Sequence, residues 1–457
     1  MKETMRHSAR LLTQALFALC AAAPLAASAQ LVSQLTPPTA GLHTGADHLP
    51  WTRSASIYEI NVRQYSKEGT FTAVSNDLGR IKAMGVDILW LMPINPIGER
   101  NRKGPLGSYY AVKDYTAVNP EFGTLNDLRA LVQHAHRLGM HVILDWVGNH
   151  TAWDNPWATE HPDWYKKNAK GEIYAVTFNN EAGGSESWTD VIGLDFNQKG
   201  LWDGMTDAMA YWVREADVDG FRCDAAGLVP TAFWDHARAE LDKIKPMFML
   251  AEWNEPELHE HAFDMTYAWD LADVLKKIGK GKAGADDLRA WVSHPPKSYP
   301  RSAYRMLFTN NHDINTWDGT DGELYGPAYQ AMAVLTFTLP GMPLIYDGQE
   351  TGLSQRLEFF KKDTINWNKN SELPAFYTGL ISLKKHNPAL WNGQYGGDIT
   401  LLDAGNPQVF AFQRQLEANL VRVVVNISGT PQNYALPGEA HPAPLNPWAW
   451  RIIAPEH

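Results

Sequence analysis

The chain has 457 residues, 44% of them hydrophobic, and a formal net charge of -11. That is enough apolar material for a large core and two or three structural units, and it excludes a disordered or membrane-spanning chain. The negative balance argues against a nucleic-acid or anionic-membrane partner, whose phosphates it would repel.

Residues 1–29 place Lys2, Arg6 and Arg10 ahead of an apolar stretch that closes on Ala27, Ser28 and Ala29. This order predicts a signal peptide cleaved near Ala29/Gln30 and a secreted or periplasmic location. A membrane anchor would need about twenty uninterrupted apolar residues, and Pro24 stops the run short of that. Of the two cysteines, Cys20 falls in the signal, so Cys223 stands alone in the mature chain and no internal disulfide is expected. Residues 30–50 are polar and contain proline, and are expected to be an N-terminal linker.

From residue 56 onward, short apolar and β-branched runs alternate with amphipathic stretches, the pattern of a parallel sheet built from βα units. Eight runs are expected to be strands: SIYEINV (56–62), VDILWLMPI (86–94), HVILDWV (141–147), GFRCDA (220–225), FMLAEW (248–253), MTYAWDL (265–271), YRMLFTN (304–310) and MPLIYDG (342–348). A helix is predicted from Thr124, because Leu128, Leu131, Val132, Ala135 and Leu138 recur at helical spacing and Thr124 with Asp127 resembles a capping box. Its His134 and His136 are read as solvated surface. Eight strands with helices between them, and no glycine-rich phosphate fingerprint after the first, predict an α/β fold: a (β/α)8 TIM barrel over 51–149 and 199–390. The long connection after the third strand, rich in Trp, Asn, Asp and Gly, is expected to form an inserted subdomain over 150–198. After residue 390 short strands follow without helices, predicting a C-terminal β-sandwich over 391–457.

Charges interrupt these buried strands near their C-terminal ends. In GFRCDAAG (220–227), Arg222 and Asp224 share the lumenal face while Phe221 and Cys223 face the helices. Asp145 closes the third strand, Glu252 the fifth, and His312 with Asp313 the seventh. Barrel enzymes build their sites at this end, and several unpaired carboxylates would each cost several kcal/mol to bury for structure alone. Paired carboxylates without a metal-ligand cluster point to glycoside hydrolysis, in which one acid protonates the leaving oxygen and another attacks or activates water. Arg222 beside Asp224 is expected to keep that carboxylate ionised, while Glu252 between Ala251 and Trp253 would hold its proton. The 18 tryptophans fit a protein that stacks against sugar rings.

Four separated segments resemble, in order, those of the α-amylase family of glycoside hydrolases (family 13): DWVGNH (145–150), GFRCDAAG (220–227), AEWNEP (251–256) and FTNNHD (308–313). GLDFN (193–197) is similar to a further segment of that family, and YAVKDY (110–115) to the stretch that supplies a stacking tyrosine. The resemblance covers the chain from about residue 51 to its end. It implies catalytic roles for Asp224 as nucleophile, Glu252 as acid and base, and Asp313 as a ligand of the sugar's 2- and 3-hydroxyls. It implies substrate-binding roles for Tyr110, Asp145, His150, Arg222 and His312.

Where the family pattern has lysine and histidine after the nucleophile, this chain has Gly227 and Leu228. The departure argues against a typical starch-degrading endo-enzyme and leaves open a hydrolase of short malto-oligosaccharides or α-glucans, or a glucan-transferring enzyme; a non-catalytic carbohydrate-binding scaffold is the reading from another class. Asn149 and Asp195 match calcium ligands of many relatives, but two oxygen ligands do not make a calcium site, so no metal and no cofactor is expected. The missing N-terminal domain favours a monomer over the dimeric cyclodextrin-hydrolysing branch.

Overall fold

The computed structural model describes residues 48–179 and 185–455. The signal peptide, most of the expected linker and Cys20 lie outside the described residues. In chain order the strands are β1 (Ile57–Ile60), β2 (Ile88–Leu91), β3 (His141–Val147), β4 (His150–Ala152), β5 (Ala175–Asn179), β6 (Ser185–Gly193), β7 (Gly220–Asp224), β8 (Phe248–Ala251), β9 (Met265–Tyr267), β10 (Tyr304–Leu307) and β11 (Met342–Tyr346). A C-terminal set follows: β12 (Asp398–Leu401), β13 (Val409–Leu416), β14 (Asn419–Asn426), β15 (Gln432–Tyr434), β16 (Ala443–Leu445) and β17 (Trp450–Ile453).

β1, β2, β3, β7, β8, β9, β10 and β11 close into a parallel barrel, with β1 hydrogen-bonded to both β2 and β11. This is the (β/α)8 barrel expected from the eight apolar runs. Its strands are buried on both faces, which is why they read as near-continuous hydrophobic runs rather than alternating ones. The run at 265–271 is divided, however: only Met265–Tyr267 is strand, and a helix starts at Trp269. Gly220 opens β7 because a Cβ there would come within 1.9 Å of the Phe248 carbonyl oxygen on the neighbouring strand.

The helix predicted from Thr124 runs Leu125–Arg137. Thr124 accepts from the Asp127 amide while the Asp127 carboxylate accepts from the Thr124 amide, an arrangement that stabilises a helix start by about 1 kcal/mol. Leu128, Leu131, Val132 and Ala135 are its buried face. The surface reading of its histidines needs correction. Both are half-buried: His134 Nδ1 pairs with Ser75 Oγ at 3.1 Å, and His136 Nε2 with Asp219 Oδ2 at 2.7 Å.

After β3 the chain leaves the barrel and forms a three-stranded antiparallel sheet in the order β4, β6, β5 before re-entering at the helix Lys199–Ala216. After the barrel, β12, β13, β14 and β17 make a four-stranded antiparallel sheet, and β15 with β16 a two-stranded ribbon that the sequence reading did not anticipate. Both faces of the larger sheet are covered. Phe410, Phe412, Val421, Val423 and Val425 join the barrel's core, whereas Val409, Ala411 and Val424 pack with Tyr434 and Leu445 of the ribbon. Buried Arg414 ties the two units together, donating to the carbonyls of Leu339 and Trp391, at 3.3 and 3.1 Å. The first of these lies at the C-terminus of the helix Tyr329–Thr338, where a cation is favourable. No helix of the described residues is long and apolar enough to cross a membrane.

Candidate active site

The C-terminal ends of β1, β2, β3, β7, β8, β9 and β10 converge around one guanidinium. Arg222, wholly buried on β7, donates from Nη1 to Asp145 Oδ1 at 2.8 Å and to Asp224 Oδ1 at 2.9 Å, and from Nε to the Tyr267 hydroxyl at 3.1 Å. Its Nη2 lies 2.9 Å from Glu252 Oε1. Asp224 and Glu252 therefore flank a single planar cation, and their separation is limited to its span. A second link fixes them: the Ala225 amide donates to Glu252 Oε2 at 2.7 Å. That amide is aimed by a sharp turn, since Ala225 has φ +44°, a left-handed conformation that costs an L-residue roughly 1–2 kcal/mol.

A second chain of polar groups crosses the mouth. Asp145 Oδ2 accepts from Trp90 Nε1 at 3.2 Å and from the Tyr110 hydroxyl at 3.1 Å; that hydroxyl is also 2.8 Å from His312 Nε2. The Tyr110 ring lies nearly parallel to His312, with centroids 5.5 Å apart. His312 reaches Glu59 Oε1 through Nδ1 at 2.5 Å, and its Nε2 is 3.3 Å from Asp313 Oδ2. Asp313 is half-buried and opens a π-helical turn, Ile314–Asp318, a distortion common at functional sites.

Seven of the eight residues singled out in the sequence thus meet here: Tyr110, Asp145, Arg222, Asp224, Glu252, His312 and Asp313. His150 stands to one side. It is buried at the start of β4, with Nδ1 3.3 Å from Asn149 Nδ2 and its ring edge-on to Trp188, and its tie to the cluster is to the Tyr110 backbone. Burial pushes its pKa down to about 4, so the ring is neutral at pH 7.

Three participants were missed. Glu59 on β1 carried the same signal as Arg222, a charge inside an apolar strand. Trp90 and Tyr267 carried none, because an aromatic residue in a barrel strand reads as core.

The electrostatics revise one expectation. Burial pushes Glu252 up to about 8 and Asp224 up to about 6, with Arg222 pulling both down. Asp145 is likewise pushed up to about 6 by burial. Arg222 still leaves Asp224 ionised at neutral pH, as expected, but does not bring it below the ordinary carboxylate range: one guanidinium is shared among three carboxylates and cannot offset the burial of each. What survives is the order, with Glu252 the last to ionise. Around neutral pH this leaves Asp224 a carboxylate and Glu252 a protonated acid.

The wall beside Glu252 explains Gly227. A Cβ at that position would sit 1.9 Å from Trp253 Cε2, so the indole fills the space that a longer residue would need. Leu228 lines a neighbouring cavity of about 210 Å³ with Asn149, Lys166, Tyr174, Val176 and Phe178. The residues matched to calcium ligands do not form a cage: the Asn149 side chain faces His150, and Asp195 Oδ1 accepts from the Asn197 amide at 3.1 Å and its side chain at 2.7 Å. Among the described residues, no three His, Cys, Asp or Glu side chains are grouped to hold a metal ion. Cys223 is buried and free.

These features agree with what the chain is similar to. The family model for the α-amylase catalytic domain matches residues 52–277. An α-amylase from Lactobacillus plantarum of known structure is 32% identical, with a TM-score of 0.78, and the match covers 89% of this chain and 100% of that one. An α-amylase of Haloarcula japonica is 29% identical over 85% of this chain and 57% of its own length. An α-1,4-glucan:maltose-1-phosphate maltosyltransferase of Rhodospirillum rubrum is 28% identical over 82% of this chain and 57% of its own length. The chain thus spans a little over half the length of these curated relatives. With an eight-stranded barrel, carboxylates gathered at its mouth and this level of identity along nearly all of a solved relative, the chain belongs to the α-amylase family.

Proposed function

We propose that the protein is a retaining glycosidase that cleaves α-glucosidic bonds, α-1,4 above all, in malto-oligosaccharides or α-glucans. The observation that carries this reading is the pairing of Asp224 and Glu252 with the two terminal nitrogens of Arg222, one charged and one protonated near pH 7. In the first step an Asp224 oxygen bonds to the anomeric carbon as the glycosidic C–O bond breaks, and Glu252 gives its proton to the departing oxygen. In the second step the Glu252 carboxylate takes a proton from water, the water oxygen bonds to the same carbon, and Asp224 leaves. Two inversions return the α configuration. On this reading Asp313 and His312 bind ring hydroxyls, and Arg222 fixes the nucleophile.

A transferase reading differs only in the second step, where a sugar hydroxyl replaces water. The Gly227–Trp253 contact and the cavity beside Leu228 favour keeping it, because they replace a charged arrangement with apolar surface of the kind sugar faces stack on. The maltosyltransferase similarity supports it too. Export through residues 1–29, action as a monomer, and the absence of nucleic-acid and membrane partners belong to the same proposal, supported by the sequence.

The test is release of reducing sugar from maltotriose, with Asp224→Asn as control and the products of longer substrates resolved by chromatography. The variant should lose at least ~10^4-fold in kcat. Equal rates in the two proteins would overturn the reading, as would β-anomer in the first-turnover NMR spectrum. Chain lengthening at high maltotriose would select the transferase.

A further inference from the structure

Glu59 is wholly buried, and its two oxygens are treated differently. Oε1 meets His312 Nδ1 at 2.5 Å, whereas Oε2 has no hydrogen-bond partner among the described residues. A buried carboxyl with one partner is a poor structural device, since desolvation costs more than one bond returns. What that one partner does is fixed by counting protons. The Tyr110 hydroxyl has a single proton and gives it to Asp145 Oδ2, so its short contact with His312 Nε2 requires an N–H on the ring. The contact of Nδ1 with Glu59 requires a proton of its own. The His312–Glu59 pair therefore carries two protons on its three contact atoms, either as an imidazolium with a carboxylate or as a neutral ring with a carboxylic acid.

We propose that Glu59 is a positioning residue: through Nδ1 it holds His312 as an imidazolium whose Nε2–H fixes the Tyr110 hydroxyl at the edge of the sugar site, beside Asp313. Burial works against both charges and raises Glu59 as well, with His312 and Arg222 pulling it back; at the ring Asp313 and Glu59 outweigh burial and bring His312 up to about 9. The other charged or titratable groups facing the pair are Arg222 on β7, Asp145 on β3, Tyr110 in the loop after β2, Tyr267 on β9, and Tyr346 with Asp347 at the end of β11. Arg222 opposes the charge on His312 and the carboxylates favour it; Glu59 is the one that touches Nδ1. The charged ring also offsets part of the negative charge that Asp145, Asp224 and Asp313 gather at the mouth.

That the fixed Tyr110 hydroxyl borders a sugar rests on the glycosidase reading; the protonation state does not. Two measurements separate them. In the first, the full-length protein is labelled with 15N-histidine, and the His312 ring is assigned by its loss in His312→Gln. At pH 7.5 the wild-type ring should show two protonated nitrogens, and a neutral ring would overturn the proposal whether or not any substrate is cleaved. The second measurement is kcat/KM on maltotriose for Glu59→Gln, relative to wild type, across pH 5 to 8. An amide cannot hold the charge, so the variant should lose roughly 10- to 100-fold at pH 7.5, the factor carried by one charged hydrogen bond. It should regain most of this as acid reprotonates the ring. A ratio independent of pH would mark Glu59 as merely structural and overturn the proposal. If the variant does not fold, the wild-type spectrum alone decides, and a charged His312 in a protein without glycosidase activity would count against the proposed function only.

Discussion

Asp219 and Asp224 stand at opposite ends of one strand. Asp219, just before β7 at the bottom of the barrel, accepts from His136 Nε2 at 2.7 Å and the Val142 amide at 2.8 Å, and pairs with Lys245 Nζ at 2.8 Å. Asp224, about 16 Å further along the extended chain, shares Arg222 with Asp145 and Glu252. Burial acts on both to raise the pKa. At the bottom, contacts with His136, His141 and Lys245 more than offset it and hold Asp219 well below the usual carboxylate range. At the top, too few cations serve too many acids, and Asp224 is pushed up to about 6. A carboxylate that is fully neutralised contributes stability and has no reactivity left; one that is under-neutralised destabilises the fold slightly and is free to attack or to exchange a proton.

The largest effect is expected at the top. Glu252→Gln keeps the shape but cannot donate a proton to the leaving oxygen, so kcat on malto-oligosaccharides should fall by roughly 10^3-fold, within the usual range for a general acid. Formation of the glycosyl-enzyme should recover with α-glucosyl fluoride, whose leaving group needs no proton, and stopped-flow detection of fluoride would show it. Equal losses on both substrates would mean that Glu252 is not the acid.

The pH dependence is a finer test. Cleavage requires Asp224 ionised, near 6, and Glu252 protonated, near 8. The profile of kcat/KM should therefore be bell-shaped, with limbs near pH 6 and pH 8, each falling about tenfold per pH unit beyond its limb. A profile flat from pH 4 to pH 9 would contradict the balance of charge described for the mouth.

The smallest effect on activity belongs to the bottom. Asp219→Asn should leave kcat/KM within about twofold at a temperature below melting, yet lower stability by roughly 2 kcal/mol through the loss of a charged acceptor for two side chains. Because the folded-state pKa of Asp219 lies below its unfolded value, its contribution is present above the unfolded pKa and fades as pH falls toward the folded one. The difference in thermal unfolding between wild type and variant should thus be full at pH 6 and shrink below about pH 4. A variant that melts like wild type but loses activity would reverse the assignment of the two ends.

Much of the architecture was open to reading because it is encoded locally. Thr124 and Asp127 lie three residues apart and cap the helix between them, and the eight barrel strands are short apolar runs that need only their own composition to be recognised. Placing charge at strand ends likewise followed from alternation along single strands, as with Arg222 and Asp224. The same rule applies to Glu59, a lone charge within the apolar run 56–62. Other features carried no local mark. The ribbon of β15 and β16 consists of two three-residue strands that are too short for a periodic pattern, and they are held by the core they share with β13 and β14. His136 looked like a surface residue because its partner Asp219 is 83 positions away.

The amino-acid sequence alone determined which residue types sit at the strand ends and therefore which chemistry the protein can attempt, because alternation along a strand is a short-range property. Only the tertiary structure decided how those charges are shared. A pKa answers to every charge and every layer of excluded water around a group, and here the deciding neighbours come from several different strands. Whether Arg222 serves one carboxylate or three, and whether Glu59 reaches His312 across 253 positions, are facts of folded space that no single segment contains.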